Sequence, residues 1–368
     1  MLKKVNSQIK KNSTNIFMLK RRILKYSEAI REATFQSIKA DKKVVLMGLG
    51  VDDPKGIFGT TLNIKNKFPN NVYDLPTAEN TFTGISLGLA ISGFKPIIVH
   101  QRVEFSLLSL EQIFNQIAKW FFMSGGKVPV PLVIRLIIGR GWGQGPQHSQ
   151  SLESIFAHIP GLKVVCPSNA HDAKGMLLSA VNDLNPVIFF EHRWLHDTTS
   201  LVPKKNFKIS LNKAKVIKKG HHITLISFSY AVIECLKASD FLKINKVYCE
   251  VIDLRSLRPI DFKVLVKSAL KTKKVLIVDN GMIHYGISSE VMAGLLERLK
   301  KKTKVDVYRT GTINPVPSTK SLAKFCYPSA INILKLVSNI LSKKIKINNH
   351  YFGEKNSDQP NPDFRGPF

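Results

Sequence analysis

Two short polar segments interrupt otherwise apolar surroundings and carry the residues best suited to chemistry. One is Leu75-Pro76-Thr77-Ala78-Glu79-Asn80, just ahead of a run of small residues; the other is Gly145-Pro146-Gln147-His148-Ser149-Gln150. A glutamate before a helix can exchange a proton, or can simply sit where the helix dipole favours a negative charge. A loop histidine titrates near neutrality and can relay a proton, or can be structural. The residues alone leave both alternatives open. Other chemistries are poorly supported. The four cysteines, Cys166, Cys235, Cys249 and Cys326, stand far apart, with no CxxC pair and no His/Cys cluster at metal-ligand spacing. They read as reduced and buried, which points to a reducing compartment. Gly139, Gly141, Gly143 and Gly145 alternate in a loop without forming GxGxxG, and there is no GxxxxGK[ST] phosphate loop.

The elements that must position Glu79 and His148 alternate between helix and strand. Ser27 to Ala40 reads as a one-faced helix, Lys43 to Met47 as a buried strand, and Gly84 to Ser92 as a tightly packed helix stopped by Gly93 with Pro96 beyond. Pro96 to His100 follows as a strand, Leu108 to Phe122 as a helix, Pro131 to Ile138, Leu162 to Cys166 and Pro186 to Glu191 as strands, and Asp172 to Asn182 as a helix. Such alternation predicts a mostly parallel sheet covered on both faces, with ligands at the carboxyl ends of its strands. Thr, Ser, Pro and lysines over 194–220 read as a solvated linker. A second alternating unit follows: strands at Ile223 to Tyr230, Val247 to Leu254, Val275 to Asp279 and Val305 to Tyr308, with helices at Ala231 to Leu242, Phe262 to Ala269 and Ser288 to Leu299. The expectation is an α/β chain of two doubly wound domains, 26–193 and 221–341. A basic extension over 1–25 precedes them, and a Pro-rich extended tail over 342–368 follows.

At 368 residues, with 44% hydrophobic and 22% charged, the composition is that of a soluble globular protein of two domains. No uncharged apolar stretch approaches the roughly 20 residues that cross a bilayer, so no membrane role is expected. The net charge of +29 raises polyanion binding. The lysines are scattered, however, without a recognition-helix, zinc-finger or RNP pattern, so no specific nucleic acid is expected. The first 27 residues contain no acid and include Ser7 and Ser13. They read as a disordered extension of a cytoplasmic protein, or alternatively as a transit peptide to a mitochondrial or other organelle matrix, and not as a secretory signal.

Five segments keep their order and spacing through both domains: Pro76 to Gly84, Glu111 to Gln116 with Met123 to Gly126, Gly145 to Ser151, His158 to Val165, and Val251 to Ile260. In these the chain resembles the beta subunits of the decarboxylating component of 2-oxo-acid dehydrogenase complexes, within the transketolase-like group. The resemblance implies a pyrimidine-binding domain followed by a C-terminal domain of that group, and thiamine diphosphate as cofactor. Glu79 would then be the carboxyl group bonded to the aminopyrimidine ring nitrogen, in a site partly desolvated by Ala78, Phe82 and Ile85. Phe105 would stack on that ring, or be an ordinary core residue. Gln101 would lie beside the cofactor. His148 would face the substrate, with Arg135, Gln147 and Gln150 either as neighbours or as structural residues. Ala180, Val181, Asp183 and Asn185 would hold a structural K⁺, or form an ordinary helix cap.

The resemblance also implies what this chain lacks. The Gly-Asp-Gly sequence that anchors the diphosphate through Mg²⁺ is absent. An alpha-type partner must supply it, in an alpha2beta2 assembly, with a lipoyl acyltransferase as acceptor of the acyl group. The chain departs from the family at Val99 to Glu104, where Gln101, Arg102 and Glu104 replace an apolar stretch, which leaves the 2-oxo acid unassigned. Half of a split transketolase or another two-subunit thiamine-diphosphate synthase is the nearest alternative. A non-catalytic basic scaffold is the alternative of another class.

Overall fold

A computed structural model describes residues 22–139, 144–299, 303–313, 320–346 and 359–360. Most of the N-terminal extension and tail, as well as Gly141 and Gly143, lie outside the described residues. Strand β1 (Ile23–Lys25) leads into helix α1 (Tyr26–Ala40), where the Glu28 carboxylate accepts from the Lys25 backbone N–H at 2.8 Å and caps the first turn. Tyr26, Ala29, Ile30, Ala33 and Ile38 form its buried face. Six strands then run parallel: β2 (Val44–Gly48), β3 (Val72–Asp74), β4 (Lys95–His100), β5 (Val133–Ile138), β6 (Lys163–Val165) and β7 (Val187–His192). Their connecting helices are α2 (Glu79–Ile91), α3 (Ala118–Met123), α4 (Glu153–His158) and α5 (Ala170–Ala180).

Both faces of this sheet are covered, so successive residues of one strand enter different cores. Ile98 of β4 packs with Ile134 and Leu136 of β5 beneath Leu87 and Ala90 of α2. Ile97 and Val99 pack on the opposite face with α1 and α5. Strand β8 (Thr199–Leu201) pairs antiparallel with β1. The second sheet begins with β9 (Lys215–Lys218), β10 (Ile223–Ser227) and β11 (Cys249–Asp253), with helix α6 (Ala231–Ile244) between the last two. The chain then leaves that sheet for β12 (Ser256–Arg258), which pairs antiparallel with β6, and passes through α7 (Phe262–Thr272). It returns as β13 (Lys274–Met282), α8 (Ile287–Arg298) and β14 (Asp306–Thr312), and α9 (Ala330–Ile340) closes the fold. The strand orders are β12-β6-β7-β5-β4-β2-β3 and β14-β13-β10-β11-β9.

Three expectations from sequence are modified. Residues 194–220 are more than a solvated linker, because β8 and β9 lie within them and Val202 and Leu211 are buried. Backbone pairing needs no apolar alternation, and the fully buried Lys174 of α5 fixes this stretch by donating to the carbonyls of Pro203, Lys204 and Lys205 at 2.6–3.2 Å. The helix expected over Leu108 to Phe122 is present as one continuous helical run over 110–123, but with a π segment (Gln112–Ile117) between its first residues and α3, and with a 3₁₀ turn (Val103–Ser109) leading into it. Over so short a run, apolar spacing does not distinguish these windings. The second unit is also less separate than its alternation suggests, since β12 belongs to the first sheet.

A buried ion pair lies on the α1/α5 face. Arg135 of β5 donates to both carboxylate oxygens of Glu191 of β7, at 2.5 and 2.9 Å, with neither side chain exposed. His196 Nε2 lies 3.5 Å from the same carboxylate, and burial lowers the pKa of that imidazole. Replacing one buried partner strands the other charge at a cost of about 3–5 kcal/mol, whereas replacing both with apolar groups of similar size does not. Arg135→Met should therefore destabilise the chain by about that amount in denaturant unfolding, and Arg135→Met/Glu191→Leu should recover most of it.

Candidate active site at the carboxyl ends of the parallel strands

The order of the first sheet reverses between β2 and β4: the chain steps outward from β2 to β3, then returns to place β4 on the other side. A crevice opens at the carboxyl ends of strands where order reverses in this way. Gln101, the residue after β4, spans it by donating to the Leu49 carbonyl after β2 at 2.7 Å. Gly50 lets it do so, because φ is +73° and a Cβ there would lie 2.4 Å from the Gln101 amide nitrogen.

Glu79 is the first residue of α2, not a residue one turn ahead of it. Asn80 and Thr81 are exposed, so the first turn lacks the apolar rhythm from which a helix start is read. Glu79 is only 6% exposed, and no hydrogen bond or ion pair to a described residue engages its carboxylate. Phe82, one turn later, packs on the His100 ring at 5.1 Å. His100 is buried, neither ring nitrogen has a hydrogen-bond partner among the described residues, and burial brings its pKa down to about 3, so it is neutral. The Phe82–His100 contact, one turn along the helix from Glu79, is thus uncharged. Of the expected desolvating neighbours, Phe82 is buried but Ile85 is 49% exposed and points out of the core.

The segment after β4 and the loop after β5 are joined by two side-chain bridges. Glu104 accepts from His148 Nδ1, and Arg102 donates to the Gln144 amide oxygen. Burial lowers the Arg102 pKa from its ordinary value, opposed by the nearby Glu104. Half-buried Phe105 presents itself edge-on to the His148 ring at 5.8 Å. Among the described residues the polar partner of that ring is Glu104. Arg135 is committed to Glu191 in the core, and Gln150 donates to the Gln147 carbonyl at 2.9 Å.

The comparisons with known proteins fall on this geometry. Residues 23–197 match the transketolase pyrimidine-binding domain, and residues 212–333 the transketolase C-terminal domain. The chain is 37% identical over 329 residues to the mitochondrial pyruvate dehydrogenase E1 component subunit beta of Caenorhabditis elegans, covering 86% of this chain and 92% of that one. It is 34% identical over 322 residues to the Homo sapiens counterpart, covering 86% and 90%. The chain belongs to the transketolase-like family of E1 beta subunits. It is also 33% identical over 316 residues to the beta subunit of acetoin:2,6-dichlorophenolindophenol oxidoreductase of Cupriavidus necator, covering 83% and 94%. Its fold is shared with a solved split-gene transketolase described as an inactive beta4 tetramer, at TM-score 0.73 and 20% identity over 87% of this chain and 99% of that one.

In this E1-beta-type chain the end of α5 is already well supplied with partners. The Ala180 carbonyl accepts from the Asp183 N–H at 3.1 Å, and Val181 N–H bonds back to Leu177 at 3.0 Å. One Asp183 oxygen accepts from Lys163 Nζ at 2.6 Å, and the other from the Asn185 backbone and side-chain amides at 2.9 Å. Lys163 thus pairs with the Asp183 carboxylate. These contacts are compatible with a helix cap and involve the Asp183 side chain rather than the carbonyl oxygens expected of a cation site.

Sequence reasoning missed the contact between the domains behind the His148 loop. Asn280 of β13 donates to Ser151 Oγ at 3.0 Å and to Glu153 Oε1 at 3.2 Å. Burial, with the added repulsion of Asp279, pushes the Glu153 carboxyl up to about 8. An acid at the start of a helix ordinarily reads as a dipole partner, so nothing in the sequence marked it. Between the ordinary value of 4.5 and about 8, the folded chain holds a proton that the unfolded chain has released. Stability therefore falls as pH rises through that window. Glu153→Gln keeps an acceptor for Asn280 and removes the ionisation. It should be more stable than the parent at pH 9 by a few kcal/mol and nearly equal at pH 4, as read by chemical denaturation at both pH values.

Proposed function

We propose that this beta subunit provides the pyrimidine side of a thiamine-diphosphate site completed by an alpha-type partner, in an enzyme that oxidatively decarboxylates a 2-oxo acid. The observation that carries the reading is Glu79: a buried carboxylate with no partner among the described residues, at the start of the helix that follows β3 and one turn before Phe82, which packs on neutral His100. Such a group suits a cofactor nitrogen that shares a proton with it. When bound, thiamine diphosphate supplies the electron sink for loss of carbon dioxide from the substrate.

The chain's own residues then have distinct roles. Glu79 holds and shares a proton with the pyrimidine ring nitrogen opposite the amino group. Phe105 offers an aromatic face beside it, and Gln101 keeps the crevice open by tying the loops after β2 and β4. His148 donates to the carboxylate or keto oxygen of the substrate and relays a proton. The Mg²⁺ and diphosphate contacts come from the partner, since no Gly-Asp-Gly occurs in this chain and no metal-ligating cluster occurs among the described residues. An alpha2beta2 assembly with transfer of the acyl group to a lipoyl carrier fits the named relatives. All four cysteines are buried and none forms a disulfide among the described residues, which suits a reducing compartment, cytoplasm or organelle matrix.

A second reading, acetoin or another ketol as donor, is favoured by the Cupriavidus relative and by the polar run Gln101 to Glu104. Turnover of a panel of 2-oxo acids, acetoin and ketose phosphates by the reconstituted enzyme separates these donors. In that enzyme Glu79→Gln should lower turnover at least about a hundredfold while subunit association and the unfolding midpoint stay unchanged; normal turnover would refute the proposed role. The isolated chain should also bind thiamine diphosphate with Mg²⁺ far more weakly than the assembled enzyme. Tight calorimetric binding by the chain alone would refute the shared site.

A further inference from the structure

We propose that Glu104 is the positioning residue of His148: its carboxylate fixes the proton on Nδ1, so that Nε2 is the nitrogen available to the substrate. The inference rests on the reading of His148 as the substrate-side histidine and adds a residue to it.

The argument begins with the inventory of donors. A glutamate carboxylate can only accept, whereas a neutral imidazole has one donor and one acceptor nitrogen, assigned by whatever its other nitrogen meets. With Glu104 Oε1 against Nδ1, the proton belongs on Nδ1. Nε2 then carries the lone pair when the ring is neutral and a proton when it is charged, and both are forms a proton relay uses. The pair is arranged asymmetrically towards solvent: the Glu104 side chain is 10% exposed and that of His148 is 38% exposed. The anchor is inside and the ring it holds faces the open crevice.

The hold comes from two directions. Glu104 and Phe105 are consecutive residues of one 3₁₀ turn, the first meeting the ring through Nδ1 and the second edge-on at 5.8 Å. That turn is itself fixed from within, since Val103 and Ser106 are buried and Ser106 Oγ donates to the Val103 carbonyl at 2.6 Å. Arg102, one residue before the turn, bridges to Gln144, four residues before His148. Loop and turn are thus joined at two points, and only the Glu104 bridge touches the ring. A structural clasp would need only the first bridge. The second sets the state of a titratable group.

A double-mutant cycle in the assembled enzyme separates positioning from simple bracing. The variants are Glu104→Gln, Glu104→Ala, His148→Ala and the two doubles that combine His148→Ala with each Glu104 substitution, read as kcat, KM and thermal midpoint. Gln is nearly isosteric, but its amide can donate to Nδ1 as well as accept from it, so the tautomer is no longer fixed. With His148 present, both Glu104 variants should lower kcat about ten- to a hundredfold with KM changed less than about threefold. In the His148→Ala background neither should lower kcat further. Equal losses in both backgrounds would mean that Glu104 only braces the loop, and would overturn the proposal. So would full activity of Glu104→Gln alongside a slow His148→Ala. Unchanged turnover of His148→Ala would overturn the underlying reading of the histidine instead.

Discussion

Six parallel strands of the first sheet end on the same side, and the site depends on that shared direction. Parallel pairing forces each connection to run back across a face, so both faces are covered and only the strand ends remain free to carry polar groups. Glu79 after β3, Gln101 and Glu104 after β4, and His148 after β5 all leave the sheet at that edge. The reversal of order between β2 and β4 keeps the two loops there from closing over one another. What sets the chemistry is thus a set of loop residues whose separation is fixed by the hydrogen-bond spacing of the sheet beneath them.

Core and site place opposite demands on their charged groups. Arg135 and Glu191 are fully buried and satisfied mostly by each other, whereas Glu79, at the carboxyl ends of the strands, has no partner among the described residues. A buried charge with a partner fixes register and packing; a buried carboxylate without one is ready for an outside donor. His100 is as deep as the core, yet its ring lies tilted against Phe82 of the Glu79 helix.

Much of this was legible in the sequence. The apolar strands and one-faced helices appear because burial imposes their periodicity, and α1, β4, β5, α6 and α8 lie within a few residues of where that periodicity puts them. The segments around Glu79 and His148 were legible as polar interruptions, and their roles came from a resemblance spanning both domains. Less legible were features settled by contacts distant in sequence. Glu104 was visible only as a departure from the family's apolar run, and nothing local indicated that its partner lay 44 residues away. Glu153 and Asn280 meet across a domain boundary, 127 residues apart. Strand β12 is three residues long, too short for any rhythm, and its place is decided by the open edge of β6.

That last strand has a consequence for how the chain can be divided. β6 is itself only three residues long, and it is shielded on its outer side by a strand from the other domain. Severed from residues beyond 255, the first sheet would present an uncovered row of amide and carbonyl groups with buried Val164 and Val165 behind it. Such an edge recruits strands from neighbouring molecules. The two α/β units are therefore lodgers in one house: neither half is a self-contained module, and a break in the chain between them would favour aggregation over two independent domains.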